Sequence, residues 1–106
     1  MTLTILGLKT CDTCRKAIKD LPEATFRDIR TDPLSAEERA TLLAQFGDAL
    51  VNRASTTWRG LSETEKTQDA GALLAAHPTL MKRPVIRKDT DWYLGWKADT
   101  QKALGV

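Results

Sequence analysis

Residues 2–21 read T-L-T-I-L-G-L-K-T-C-D-T-C-R-K-A-I-K-D-L, and this order of residue types sets the architecture. Thr2 to Leu8 is rich in β-forming residues and predicts a first strand whose end is weakened by Gly7. Cys14, Ala17, Ile18 and Leu21 then recur at i, i+3, i+4 and i+7. That spacing lays one apolar stripe along a helix from about Thr13 to Leu21, stopped by Pro22. Strand, turn carrying two cysteines, helix is the result.

Working outward, Thr25 to Ile29 predicts a second strand, and Thr31-Asp32-Pro33 a turn. Ser35 with Glu38 three residues on is a capping box that opens a helix from Ala36 to Phe46, ended by Gly47. Asp48 to Gly60 has no clear period and reads as a loop with some helical turns. Ser62 and Glu65 form a second capping box, and Ala70, Leu73, Leu74 and His77 mark another helix face closed by Pro78. Pro84 to Lys88 and Trp92 to Leu94, separated by Asp89-Thr90-Asp91, predict a β-hairpin ended by Gly95, and Lys97 to Leu104 a terminal helix. The order β-α-β-α, short helices, β-β-α predicts an α/β sandwich with helices on both faces of a small mixed sheet.

The chain has 106 residues, 42% hydrophobic and 28% charged, which suits a single domain spanning 1–106. Sixteen Lys plus Arg against fourteen Asp plus Glu give a formal charge of +2, far from the balance of a dedicated nucleic-acid binder. Neither a signal peptide nor a membrane span is legible at the N-terminus, so the reading is a cytoplasmic protein with no membrane and no nucleic-acid partner, acting as a monomer.

Two cysteines and one histidine are too few for a disulfide scaffold or a four-ligand zinc site, so no metal and no bound cofactor are expected. Their spacing, C-x-x-C at Cys11 and Cys14, carries the chemistry. Cys11 falls where strand gives way to helix, beside unpaired N–H groups and the positive end of the helix dipole. A thiol so placed falls from roughly 8.5 into the range of about 3.5 to 7.5, and Arg15 and Lys16 would add favourable charge. Cys14 sits on the apolar stripe, near enough for a disulfide. Cys11 is therefore assigned attack and Cys14 resolution. The competing readings are a zinc half-site completed by a dimer and two inert core cysteines.

Three ordered blocks extend this reading: K-T-C-D-T-C-R-K-A (9–17), N-R-A-S-T-T-W-R-G-L (52–61), and H-P-T-L-M-K-R-P-V-I (77–86) followed by Y-L-G-W. Together they resemble the ArsC/Spx/YffB group of thioredoxin-fold proteins, the YffB-like branch in length and blocks best. The resemblance implies a thioredoxin-like fold, a small mixed β-sheet flanked by helices with a helical insertion, and a cis Arg83-Pro84 bond beside the active cysteine. It implies a thiol-dependent oxidoreductase with glutathione as co-substrate, or a glutaredoxin- or thioredoxin-type reductant. By resemblance to Spx it implies a redox-switched regulator binding the RNA polymerase α-subunit, and by resemblance to the arsenate reductases an oxyanion held by Arg83, with Arg15 four residues after Cys11. The reductases use two further arginines. There this chain carries Asn52, with Arg53 adjacent, and Trp96 or Gly95, which removes charge that would hold a divalent oxyanion.

The resemblance also places Asn52, Arg53, Thr57 and Arg59 near the catalytic cysteine as candidate substrate contacts, with Arg83 and Pro84; a solvated loop is the plainer reading of the four. Of the cations around the hairpin, Lys82, Arg83, Arg87 and Lys88, strand alternation lets only some face one ligand, and Arg83 is preferred. Trp58, Trp92 and Trp96 read as packing rather than a base-stacking set, and His77 as a capping or packing residue.

Overall fold

The computed structural model describes residues 2–106. These fall into two compact units: one holds the residues up to Asp32 and Arg83–Val106, the other is Pro33–Lys82. The second unit is the helical insertion expected from the sequence.

The first unit contains β1 (Leu3–Gly7), α1 (Asp12–Asp20) and β2 (Thr25–Asp28) from the N-terminal half. A four-stranded mixed sheet is completed by two strands after the insertion, β3 (Val85–Lys88) and β4 (Asp91–Leu94), in the order β2-β1-β3-β4. β1 runs parallel to β2, with Gly7 opposite Asp28, and antiparallel to β3, with Ile5 opposite Ile86. Strand alternation sends Leu3 and Ile5 to one face. There they join Ala17 and Leu21 of the α1 stripe, Ile86 and Trp96 in a buried cluster. The turn between β3 and β4 is closed at Asp89, in the left-handed region at φ 56°; its Oδ1 accepts the Thr2 N–H at 3.0 Å.

The expected boundaries hold to within a residue or two. The terminal helix spans Ala98–Ala103, capped by Lys97 and Leu104, and Leu104 packs back on the core cluster.

In the second unit, a helix at Ala36–Phe46 is opened by the Ser35 capping box, in which the Glu38 N–H donates to Ser35 Oγ at 3.1 Å and the Ser35 N–H to Glu38 Oε1 at 2.8 Å. Each such cap stabilises by about 1 kcal/mol. A second box at Ser62 and Glu65 opens the short helix Glu63–Lys66. Ala70–Ala76 follows, N-capped by Asp69 and buried through Leu73 and Leu74. The stretch left unassigned by periodicity is a single 3-10 turn at Gly47–Leu50 and a one-turn helix at Thr56–Arg59, capped by Ser55. Asn52 N–H to Leu80 O at 2.8 Å and Lys82 N–H to Leu50 O at 2.7 Å pair residues 50–52 with 80–82 around an antiparallel bridge between Val51 and Met81.

Candidate active site

β1 ends against the C-terminal end of its parallel neighbour β2, and a turn carries the chain from there into α1. The Cys11 N–H donates to Leu8 O at 3.1 Å, so Lys9 and Thr10 are the corner residues. Cys11 then takes the N-cap position in extended conformation, and its carbonyl accepts the first helical hydrogen bond, from the Arg15 N–H at 3.0 Å. The C-x-x-C spacing makes Cys14 the third helical residue, whose N–H an N-cap side chain ordinarily satisfies. No regular capping bond forms from the Cys11 side chain; the Cys14 N–H acts on the sulfur as a weak donor.

The two thiols are driven apart. Partial burial pushes the Cys11 thiol up, but it is outweighed by the Cys14 N–H, the Cys14 thiol and the Arg83 guanidinium, which donates to the sulfur and adds its charge. The net result lies below the ordinary 9.0. Cys14 is fully buried. Burial is the largest cause pushing it up to about 11, reinforced by the neighbouring Cys11 and opposed by the Leu8 N–H and the Arg83 charge. Both cysteines are free thiols.

Arg83 therefore supplies the favourable charge that Arg15 and Lys16 were expected to give. Arg15 reaches back over the turn, where its Nε donates to Lys9 O at 2.8 Å. Lys16 lies with Thr13, Lys19, Asp20, Trp96 and Gln101 along an open groove of about 420 Å³. Pro84, joined to Arg83 by a cis bond, is buried at the entrance to β3. Cys11, Cys14, Arg15, Arg83 and Pro84 all belong to the first unit.

Asn52, Arg53, Thr57 and Arg59 belong to the second unit, and each is engaged there. Asn52 Oδ1 accepts the Ala54 N–H at 3.1 Å, and its carbonyl accepts Ser55 Oγ at 2.8 Å. Arg53 lies 5.4 Å over the Trp58 ring, with Lys66 at 5.8 Å from the same ring. Thr57 Oγ1 meets Thr79 Oγ1 at 3.0 Å, and Arg59 Nη2 donates to Ala54 O at 2.9 Å. These contacts build the T-T-W-R turn itself. His77 caps the helix before Pro78 and faces Glu65 Oε2 at 3.2 Å.

Two groups in this region carry roles that local sequence order does not announce. Gly7 leaves the space that the Cys14 sulfur fills, and Asp28, at the end of β2, accepts the Lys9 N–H through Oδ2 at 3.1 Å. A signal for the second existed: a carboxylate at the C-terminal end of a strand parallel to the cysteine strand lies where α/β sheets place their sites. Among the described residues no group of three or more His, Cys, Asp or Glu is arranged to hold a metal ion, and no helix is long and apolar enough to cross a membrane.

A sequence model of the ArsC family matches residues 6–104. The chain belongs to the ArsC family. It is 39% identical to an uncharacterized protein of Haemophilus influenzae, over 95% of this chain and 96% of that one. The global transcriptional regulator Spx of Bacillus subtilis is 28% identical over 92% of this chain and 82% of its own. The solved structure of a YffB protein superposes with a TM-score of 0.86 at 32% identity, covering 96% of this chain and 97% of that one. The ArsC-family chain is thus an arsenate-reductase-like protein of thioredoxin-like α/β fold.

Proposed function

We propose that this protein is a thiol-disulfide oxidoreductase of the cytoplasm in which Cys11 is the nucleophile and Cys14 the resolving thiol. The observation that carries this reading is the split between two adjacent thiols, one held below 9.0 beside Arg83 and the other pushed up to about 11 by burial. The Cys11 thiolate attacks one sulfur of a substrate disulfide, forming a mixed disulfide and expelling the other half as a thiolate. Cys14 then gives up its proton and attacks the Cys11 sulfur. The bound half leaves as a thiol, and the Cys11–Cys14 disulfide holds the oxidation. Two glutathione molecules, or one glutaredoxin- or thioredoxin-type dithiol, return the two electrons and are themselves oxidised to a disulfide.

Arg83 and Pro84 form the substrate edge in this reading, Arg83 by charge and Pro84 by its place beside it. Asn52, Arg53, Thr57 and Arg59 are assigned to building the T-T-W-R turn, because their side chains are already engaged there. Arsenate suits the site less well: where the resemblance to the reductases implies an arginine the chain has Trp96 or Gly95, neither of which brings charge, and Trp96 is packed in the core cluster. Turnover of a glutathione mixed disulfide by wild type, lost in Cys11→Ser and kept in part by Cys14→Ser, is the expected result; full activity in Cys11→Ser would refute the reading.

A second reading is favoured by the similarity to Spx over 92% of this chain: a regulator whose affinity for a protein partner, the RNA polymerase α-subunit, changes with the Cys11–Cys14 disulfide. Binding to that subunit with equal affinity under oxidising and reducing conditions would dispose of it.

A further inference from the structure

Two side chains grip the same residue ahead of the nucleophile, one on each of the two peptide groups that flank its Cα. Asp28 Oδ2 accepts the Lys9 N–H at 3.1 Å from the β2 side, and Arg15 Nε donates to the Lys9 carbonyl at 2.8 Å from the α1 side. Lys9 is the first corner of the turn whose closing bond runs from Cys11 N–H to Leu8 O. Leu8 in turn offers its own N–H to the Cys14 sulfur. One turn therefore sets the position of both thiols.

We propose that Asp28 and Arg15 are positioning residues: together they clamp the backbone of Lys9 on both sides of its Cα and fix the turn that presents Cys11 and orients Cys14. The inference rests on the thiol reading above and adds to it how the site is held in shape. The parallel pairing of β1 and β2 makes this possible, since Gly7 lies opposite Asp28 and the carboxylate thereby reaches the first residues beyond β1. Asp28 also accepts the Arg30 N–H through Oδ1 at 2.9 Å, so its two oxygens divide the work: one shapes the turn after β2, the other holds Lys9. The depressed carboxyl of Asp28, caused first by the Lys9 N–H and then by that of Arg30, agrees with an anion doing both.

Two variants separate positioning from general support. Asp28→Asn keeps one acceptor oxygen, which serves the Arg30 N–H in the same turn geometry, and turns an NH2 toward Lys9. Arg15→Lys keeps the positive charge but has a methylene where the Nε donor stood. The measurement is the pH dependence of iodoacetamide alkylation at Cys11 in the reduced full-length chain, with melting temperature recorded beside it. Each variant is expected to melt cooperatively, to shift the alkylation midpoint upward and to react about three- to tenfold more slowly at pH 7, as for loss of one hydrogen bond to a positioned group. The double variant should lose less than the sum, because both partners hold one residue of the same turn.

The sign is diagnostic for Asp28. Removing a carboxylate by charge alone would favour the thiolate and move the midpoint down, so a downward or unmoved midpoint in Asp28→Asn overturns the clamp. If Asp28→Asn does not fold, Arg15→Lys carries the test alone, and a wild-type profile in that variant overturns the proposal. A lowered wild-type midpoint with unaltered variants refutes the clamp while leaving the thiol reading standing. An ordinary wild-type midpoint refutes the thiol reading, and the clamp with it.

Discussion

The Cys14 sulfur occupies the space that a Cβ on Gly7 would fill. The Cys14 Cβ would stand 3.3 Å from such an atom and Phe26 Cε1 3.7 Å. Gly7 is required for room rather than for backbone freedom: the last residue of β1 must be bare for the third residue of α1 to seat its thiol against the strand. This contact puts the buried thiol beneath the turn that leads to Cys11.

Gly7→Ala is accordingly expected to destabilise the protein by about 1–3 kcal/mol, the usual cost of overpacking. Adding Cys14→Ala, which removes the colliding sulfur, should restore more than half of that loss in chemical denaturation. Independent, additive effects would show that the two positions do not share the space.

Replacing Arg83 by Met removes the charge and the donor beside Cys11, so the Cys11 thiol should titrate higher than in wild type. Thiolate absorbance at 240 nm followed against pH is the check. Arg83→Lys should fall between the two, because it keeps charge without the guanidinium fork.

Cys14 makes a prediction at alkaline pH. Its thiol titrates at about 11 in the fold against an ordinary 9.0, so between those values the folded state holds a proton that the unfolded state has released. Stability contributed by the protonated thiol is complete below about pH 9 and is lost as pH rises toward 11. Denaturant midpoints taken at pH 8 and pH 10.5 should fall more steeply in wild type than in Cys14→Ala.

Glu65 governs the acid side of the second unit. The Ser62 N–H, the Ser62 hydroxyl and His77 hold its carboxyl below the ordinary 4.5. Its stabilising contribution is therefore present above that value and lost as pH falls through the folded one. Glu65→Gln, which keeps the capping acceptor, should lower the melting temperature at pH 6 and flatten the decline between pH 5 and pH 3.

Much of this was legible in residues 2–21, because an apolar stripe at 14, 17, 18 and 21 admits only a helix, and a β-rich run ending at a glycine admits a strand. The capping boxes at Ser35 and Ser62 were equally plain, since a hydroxyl and a carboxylate three residues apart answer the same unpaired N–H groups in any helix. The helix at Thr56–Arg59 was not. Ser55 caps it, but it has one turn, no buried residue and no period to detect. Partners distant in sequence were also hidden. That Arg83, 72 residues beyond Cys11, acts on its sulfur was not legible: the resemblance implied an oxyanion for Arg83 and a place for Pro84 beside the cysteine, while local order pointed to Arg15. The Asp28–Lys9 contact depends on the β1–β2 pairing, which no single segment encodes, and the Gly7–Cys14 contact on how α1 packs against β1.

The most direct test of the central claim is the pH profile of single alkylation at Cys11 in the reduced wild-type protein, with the modified residue identified by mass spectrometry. A midpoint below 9.0 and one label per chain, on Cys11, are expected at every pH up to about 9. A midpoint at or above 9.0, or equal labelling of Cys11 and Cys14 near neutral pH, would contradict the claim.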